Sequence, residues 1–250
     1  MNLDAAATAR YAAALAPAVM GLDEAIDMFV LPPFTSLHAA RQAFSSSAVG
    51  IGAQNVHWDA SGAWTGEISA PMLVEAGCRY VQLAHSERLE HFGETYERAR
   101  HKVNAAMASG LTPILCLGET DDERRQSSSD KIIVDQMSLA LADQSAGQVS
   151  NIILAYEPRW AIGASAAASP AYAADRHRNL RSAIGARFGS HAAAQIRIIY
   201  GGSVTPSNGD AFLAHRDIDG LFVGRAAWSP EGFAEIVAIV ARAATRRKLR

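Results

Sequence analysis

The sequence predicts an α/β fold: parallel strands, each followed by a helix, curled into a (β/α)8 barrel. Three observations carry that prediction. Short apolar runs recur along the chain, helix-length segments lie between most of them, and 250 residues with 49% hydrophobic and 19% charged side chains suit one large core. No low-complexity linker, charge block or shift of composition marks a boundary, so residues 1–250 are expected to form one domain.

In chain order, the first element, Leu3 to Val19, reads as a helix with Leu3, Ala7, Tyr11, Ala14 and Leu15 at helical spacing. Strands are expected at Met28–Leu31, Val49–Gly52, Tyr80–Leu83, Pro113–Cys116, Ile152–Ala155, Ile196–Ile199 and Leu221–Val223. Helices are expected at Asn104–Ser109, Lys131–Leu141 and Pro170–Phe188, with the Ala-rich windows Ala5–Ala18 and Ala164–Ala174 serving as helix and loop. No strand precedes the first helix. A barrel of eight would then lack its first strand and carry two unpaired edges, so the chain is expected to be cut short.

Composition excludes several classes of function. A net charge of -2 gives no general pull toward nucleic acid or an acidic membrane, which leaves small molecules as the expected partners. Two cysteines, Cys78 and Cys116, without CxxC spacing, suggest neither a disulfide framework nor a zinc site. No signal-like segment opens the chain and no apolar stretch reaches the ~20 residues a membrane span needs, so a cytoplasmic location is expected. Neither HExxH nor GxSxG occurs. The C-terminal Arg242, Arg246, Arg247, Lys248 and Arg250 read as a solvated helix end favoured by the dipole.

The candidate chemistry follows three strand ends. In Ala155-Tyr156-Glu157-Pro158-Arg159-Trp160-Ala161-Ile162-Gly163 one carboxylate stands where an apolar strand stops and a small-residue loop begins, a suitable place for a base. The strand ending at Leu83 runs into Ala84-His85-Ser86-Glu87-Arg88, and the one ending at Ile199 into Tyr200-Gly201-Gly202-Ser203-Val204. Barrel strand ends converge on one face, which would bring Glu157, His85 and the glycine-rich loop into one pocket. Taken singly, each has a plainer reading: Glu157 as a cap, His85 as a core histidine, Gly201-Gly202 as a turn. Cys116 reads as core packing and Glu119 as a structural hydrogen-bonding group.

Read together with Gly52-Ala53-Gln54-Asn55, Ser61-Gly62-Ala63-Trp64-Thr65-Gly66-Glu67 and Leu115-Cys116-Leu117-Gly118-Glu119, these segments resemble, in order, the motifs of the triosephosphate isomerase family from Met1 to about Arg242. The resemblance implies a TIM barrel in which Glu157 shuttles a proton between adjacent carbons while neutral His85 polarises the carbonyl, through a cis-enediolate. It implies that the loop after Glu157 is a lid excluding water, with the Gly163 N–H on the substrate phosphate and Ser203, Gly224 and Arg225 completing the cradle. It further implies a homodimer, with Thr65 approaching the partner's active site, and no cofactor or metal.

The chain departs from the family pattern in places. The family's Asn-x-Lys-Met/Leu-Asn is matched only at its last two positions, by Met1-Asn2, so the charge-stabilising lysine is absent and Glu87 lacks its usual ion-pair partner. Arg225 and Trp228 enter the phosphate turn, Arg159 enters the lid hinge, and Ala164 to Ser169 is rebuilt. These features resemble the branch that isomerises four-carbon keto-sugar phosphates such as L-erythrulose 1-phosphate. Three readings stay open: interconversion of dihydroxyacetone phosphate and D-glyceraldehyde 3-phosphate, L-erythrulose-1-phosphate isomerisation, and a catalytically silent barrel that binds sugar phosphate.

Overall fold

The computed structural model describes residues 1–22, 26–164 and 167–248, with Lys248 described by its backbone alone. Among the described residues seven strands form one parallel sheet in sequence order: β1 (Phe29–Val30), β2 (Gly50–Ala53), β3 (Tyr80–Leu83), β4 (Thr112–Leu117), β5 (Ile153–Tyr156), β6 (Arg197–Gly201) and β7 (Gly220–Phe222). These are the seven apolar runs of the sequence, with ends shifted by a residue or two. The helices used below are α1 (Ala5–Ala18), α2 (Ser86–His91), α3 (Tyr96–Ala108), α4 (Ser129–Ala140), α5 (Pro170–Phe188), α6 (Gly209–Leu213) and α7 (Pro230–Lys248).

Alternation along the strands sorts side chains into two layers. Phe29, Leu31, Tyr80, Ile114, Cys116, Ile153, Ala155, Ile199 and Phe222 form the inner cluster. The intervening residues, among them Val81, Leu83, Leu115, Leu117, Leu154, Tyr156 and Ile198, face the helices in a larger outer cluster. The sheet curls until its edge strands face each other, with the Phe29 and Phe222 rings 6.3 Å apart, but β1 and β7 do not pair.

Two helices differ from expectation. α1 begins at Ala5, after Asp4, whose carboxylate accepts from the Ala7 N–H at 2.7 Å. Its buried face is Thr8, Ala12 and Leu15, whereas Leu3 precedes the helix and Ala14 is exposed. The expected helix at Asn104 starts instead at Tyr96, because Thr95 caps it and the charged run Glu97, Arg98, Arg100 and His101 lies on its solvent face while Ala99, Val103 and Ala106 are buried. Nor is the C-terminal basic cluster wholly solvated. Arg247 donates to the carbonyls of Leu213, His215 and Ile218 at 2.7–3.0 Å, and Arg246 pairs with Asp210 at 2.8 Å, so both tie α7 to α6 and the loop after it. Arg250 and the Lys248 side chain lie outside the described residues. No described helix is long and apolar enough to cross a membrane.

Candidate active site

Strand β5 delivers Glu157 to the C-terminal rim, where its backbone N–H donates to the Leu117 carbonyl at 2.7 Å. That approach depends on Gly118, where a Cβ would stand 1.8 Å from the Glu157 carbonyl oxygen. The Glu157 side chain is buried, and its Oε2 has no hydrogen-bond partner. Burial raises its pKa above the ordinary carboxylate value, while the nearby His85 pulls it down more weakly. A dehydrated, under-bonded carboxylate of this kind is a stronger base than one in water.

His85 reaches the same point from β3. Ala84, at φ 56°, turns the chain, and His85 then caps α2, with its Nδ1 accepting the Glu87 N–H at 3.4 Å. Because Nδ1 accepts, the proton of the neutral ring sits on Nε2. That nitrogen lies 3.9 Å from Glu157 Oε1. A base and a hydrogen-bond donor thus face one space from two different strands.

The loop after Glu157 is fastened at both ends. Glu119 is wholly buried and has no cation within ion-pair distance among the described residues. Its carboxylate accepts from Tyr156 Oη at 3.1 Å, Trp160 Nε1 at 2.9 Å and Tyr172 Oη at 2.8 Å, the last from the first turn of α5. Glu119 therefore is the structural hydrogen-bonding group the sequence suggested. Arg159 N–H donates to the Glu119 carbonyl at 2.9 Å, and the Arg124 guanidinium lies 4.2 Å over the Trp160 ring. Farther along, Ala168 N–H donates to Tyr200 Oη at 3.2 Å, and Ser203 Oγ lies 2.9 Å from the carbonyl oxygens of both Ala161 and Ala164. Of the rebuilt lid stretch, Ser165 and Ala166 fall outside the described residues.

A cavity of about 1370 Å³ opens above the inner layer and continues between the β1 and β7 edges. Glu157, His85, Glu87, Gly163, Ser203, Gly224 and Arg225 all line it. Gly163 (φ 68°) and Ser203 (φ 49°) adopt the left-handed region, and Gly224 precedes the short turn Arg225–Ala227. That turn is held by Tyr11 Oη, which donates to the Ala227 carbonyl at 2.8 Å. Glu87 is largely exposed and among the described residues meets only His85 as an ionic partner, at 3.8 Å. Arg88 is committed to Glu94 at 2.7 Å, and Lys102 pairs with the same carboxylate at 2.8 Å.

Thr65 is not part of this assembly. It lies on an exposed loop away from the cavity, beside Trp64, which packs against His57 with ring centroids 4.5 Å apart. Cys116 is buried, with its thiol pKa raised well above the usual value chiefly by burial, which fits packing and not nucleophilic attack. Among the described residues no cluster of three or more His, Cys, Asp or Glu is placed to hold a metal ion. Two residues of the site escaped the sequence reading. Tyr172 carried no motif, and Gln82, an amide in the apolar run Tyr80-Val81-Gln82-Leu83, was the visible signal of a polar group lining the cavity.

Fold and site together define a curled parallel α/β fold with a buried carboxylate and an imidazole facing each other at its strand ends. The triosephosphate isomerase family model matches residues 1–240. An L-erythrulose-1-phosphate isomerase of Rhizobium etli is 43% identical over 239 residues, covering 94% of this chain and 88% of that protein. Triosephosphate isomerases of Chloroflexus aurantiacus and Symbiobacterium thermophilum are 44% and 45% identical, covering 87% and 88% of this chain and 88% and 86% of their own lengths. The chain belongs to the triosephosphate isomerase family, and it is an isomerase of sugar phosphates.

Proposed function

We propose that this protein interconverts dihydroxyacetone phosphate and D-glyceraldehyde 3-phosphate. The observation that carries the reading is the 3.9 Å approach of Glu157 Oε1 to Nε2 of His85, a ring whose Nδ1 accepts from the Glu87 N–H. Glu157 removes a proton from the hydroxymethyl carbon, and the electron pair moves to the carbonyl oxygen. His85 gives its Nε2 proton to that oxygen as the enediolate forms and takes the proton of the adjacent hydroxyl in return, while Glu157 delivers its proton to the former carbonyl carbon, so that the new carbonyl forms and both side chains end as they began. The Gly163 N–H, Ser203, Gly224 and Arg225 hold the phosphate, with Glu87 supporting the His85 end. The proton transfers and the oxyanion contact need no cofactor.

A four-carbon substrate is the second reading, favoured by the Rhizobium etli relative's name and by Arg225 in the phosphate turn. The assembly is a homodimer of one-domain subunits in the cytoplasm, with the exposed Trp64 and Thr65 loop entering the partner subunit. The test is kcat/KM on dihydroxyacetone phosphate and L-erythrulose 1-phosphate side by side, with Glu157→Gln as control and the mass in solution measured in parallel. Turnover that Glu157→Gln abolishes supports the reading. Phosphate-sensitive binding without turnover would leave a silent sugar-phosphate-binding barrel, and a monomer at every concentration would remove the dimer.

A further inference from the structure

We propose that Gln82 is a specificity-determining residue, whose carboxamide holds the terminal hydroxyl of a four-carbon ketose phosphate and so admits that substrate class to the site. The inference rests on the isomerase reading of Glu157 and His85 and adds a four-carbon ketose phosphate to the substrates their pocket admits.

Gln82 stands among the inward-facing residues of β3, in a layer otherwise built of Tyr80, Ile114, Ile153, Ala155 and Ile199 with the thiol of Cys116. It is 9% exposed, and what remains exposed lines the cavity shared with Glu157 and His85. Its one hydrogen-bond contact among the described residues is Nε2 to Cys116 Sγ at 3.7 Å, a long contact to a weak acceptor. A carboxamide placed in an apolar layer has lost its hydration and needs partners in return. Here its oxygen and second N–H are left for whatever fills the cavity. Of the other cavity amides, Gln54 donates to the Leu31 carbonyl at 2.8 Å and Asn55 accepts from Lys102 at 2.8 Å, whereas Asn2 is exposed and lies outside the strand layer.

Placement says which substrate atom Gln82 meets. The phosphate-binding candidates Gly163, Ser203, Gly224 and Arg225 lie in loops at the rim, whereas Gln82 lies within the strand layer, below them and against Cys116. A substrate with its phosphate at the rim directs its far end inward. L-Erythrulose 1-phosphate differs from dihydroxyacetone phosphate there: a hydroxymethyl group replaces one hydrogen on the carbon that loses its proton to Glu157. The same base then moves the carbonyl one carbon away from the phosphate, with no atom gained or lost. The added hydroxyl needs one donor and one acceptor, and a carboxamide offers both.

The test compares kcat/KM on both ketose phosphates for the full chain and for Gln82→Leu and Gln82→Met, with melting temperatures as a check of folding. The expected result is a loss of about tenfold or more on L-erythrulose 1-phosphate and a change under about twofold on dihydroxyacetone phosphate. Equal losses on both substrates, accompanied by a shifted acid limb of the pH profile, would mean that Gln82 positions Glu157 through Cys116 and would overturn the proposal. An unchanged preference would overturn it too. Should the parent chain turn over neither substrate, the isomerase reading fails by itself. Calorimetric affinity for L-erythrulose 1-phosphate then decides the Gln82 contact, which stands if Gln82→Leu weakens it about tenfold and falls if it does not.

Discussion

Gly201 leaves the space that the Glu157 side chain occupies: a Cβ on Gly201 would stand 2.8 Å from Glu157 Cγ and 2.9 Å from its Oε1. The end of β6 thereby sets where the base of β5 can lie. Gly201 does not adopt a positive φ, so an alanine there meets the carboxylate and not backbone strain. Gly201→Ala is expected to push the carboxylate aside and lower kcat by about 100-fold, since a misplacement of about 1 Å is worth that much. Gly118→Ala meets the Glu157 backbone oxygen instead and is expected to cost about 1–3 kcal/mol or more of stability. Kinetics and denaturant unfolding of the two variants separate these effects.

Removing the Glu157 charge should stabilise the fold while abolishing turnover. Burial raises its folded pKa above the unfolded one, so the native state binds that proton more tightly. Stability therefore falls as pH rises from the unfolded to the folded value, and the deficit persists above it. Glu157→Gln is expected to melt at a higher temperature than the parent at pH 7, with the gap closing as the pH falls into the ordinary carboxylate range, and to lose about 10²–10⁴-fold in kcat. A lower melting temperature at pH 7 would show that the carboxylate is better solvated than the structure indicates.

His177 makes the fold sensitive to acid. It is wholly buried in α5, neither ring nitrogen has a hydrogen-bond partner among the described residues, and Tyr156 meets it edge-on at 5.7 Å. Burial lowers its pKa from 6.5 to about 3. The unfolded chain takes up this proton as pH falls through the upper value and the native chain does not, so stability drops between the two. His177→Leu is expected to flatten that acid-side decline by up to ~1.4 kcal/mol per pH unit, read from urea titrations across the range.

Glu119 holds three donors, of which only Tyr172 has a second hydrogen-bond partner among the described residues, Ser129 Oγ at 2.9 Å. Glu119→Ala would leave Tyr156, Trp160 and Tyr172 without their shared acceptor and is expected to cost about 3–5 kcal/mol. Turnover should fall as well, because the turn Arg159–Ala161 directly follows the base. Glu119→Gln keeps acceptor capacity and should lose less of both, by chemical denaturation and kcat.

The sequence by itself determined the seven strands, because continuous apolar, β-branched runs mark a parallel sheet covered on both faces, and it marked Glu157 and His85, because each follows such a run within a specific motif. Local pattern was weaker for α3, where a charged solvent face hid a helix that Thr95 starts. Only the tertiary structure decided which distant residues meet. The carboxylate of Glu119 gathers donors from β5, the turn after it and α5, and Thr65, which the motif links to a partner's active site, lies away from this chain's own cavity. Gln82 is one letter in a strand until the curl of the sheet points it at the cavity that Glu157 and His85 share. Burial, and with it the raised proton affinity of Glu157, belongs to the packed chain because no local segment can exclude water alone.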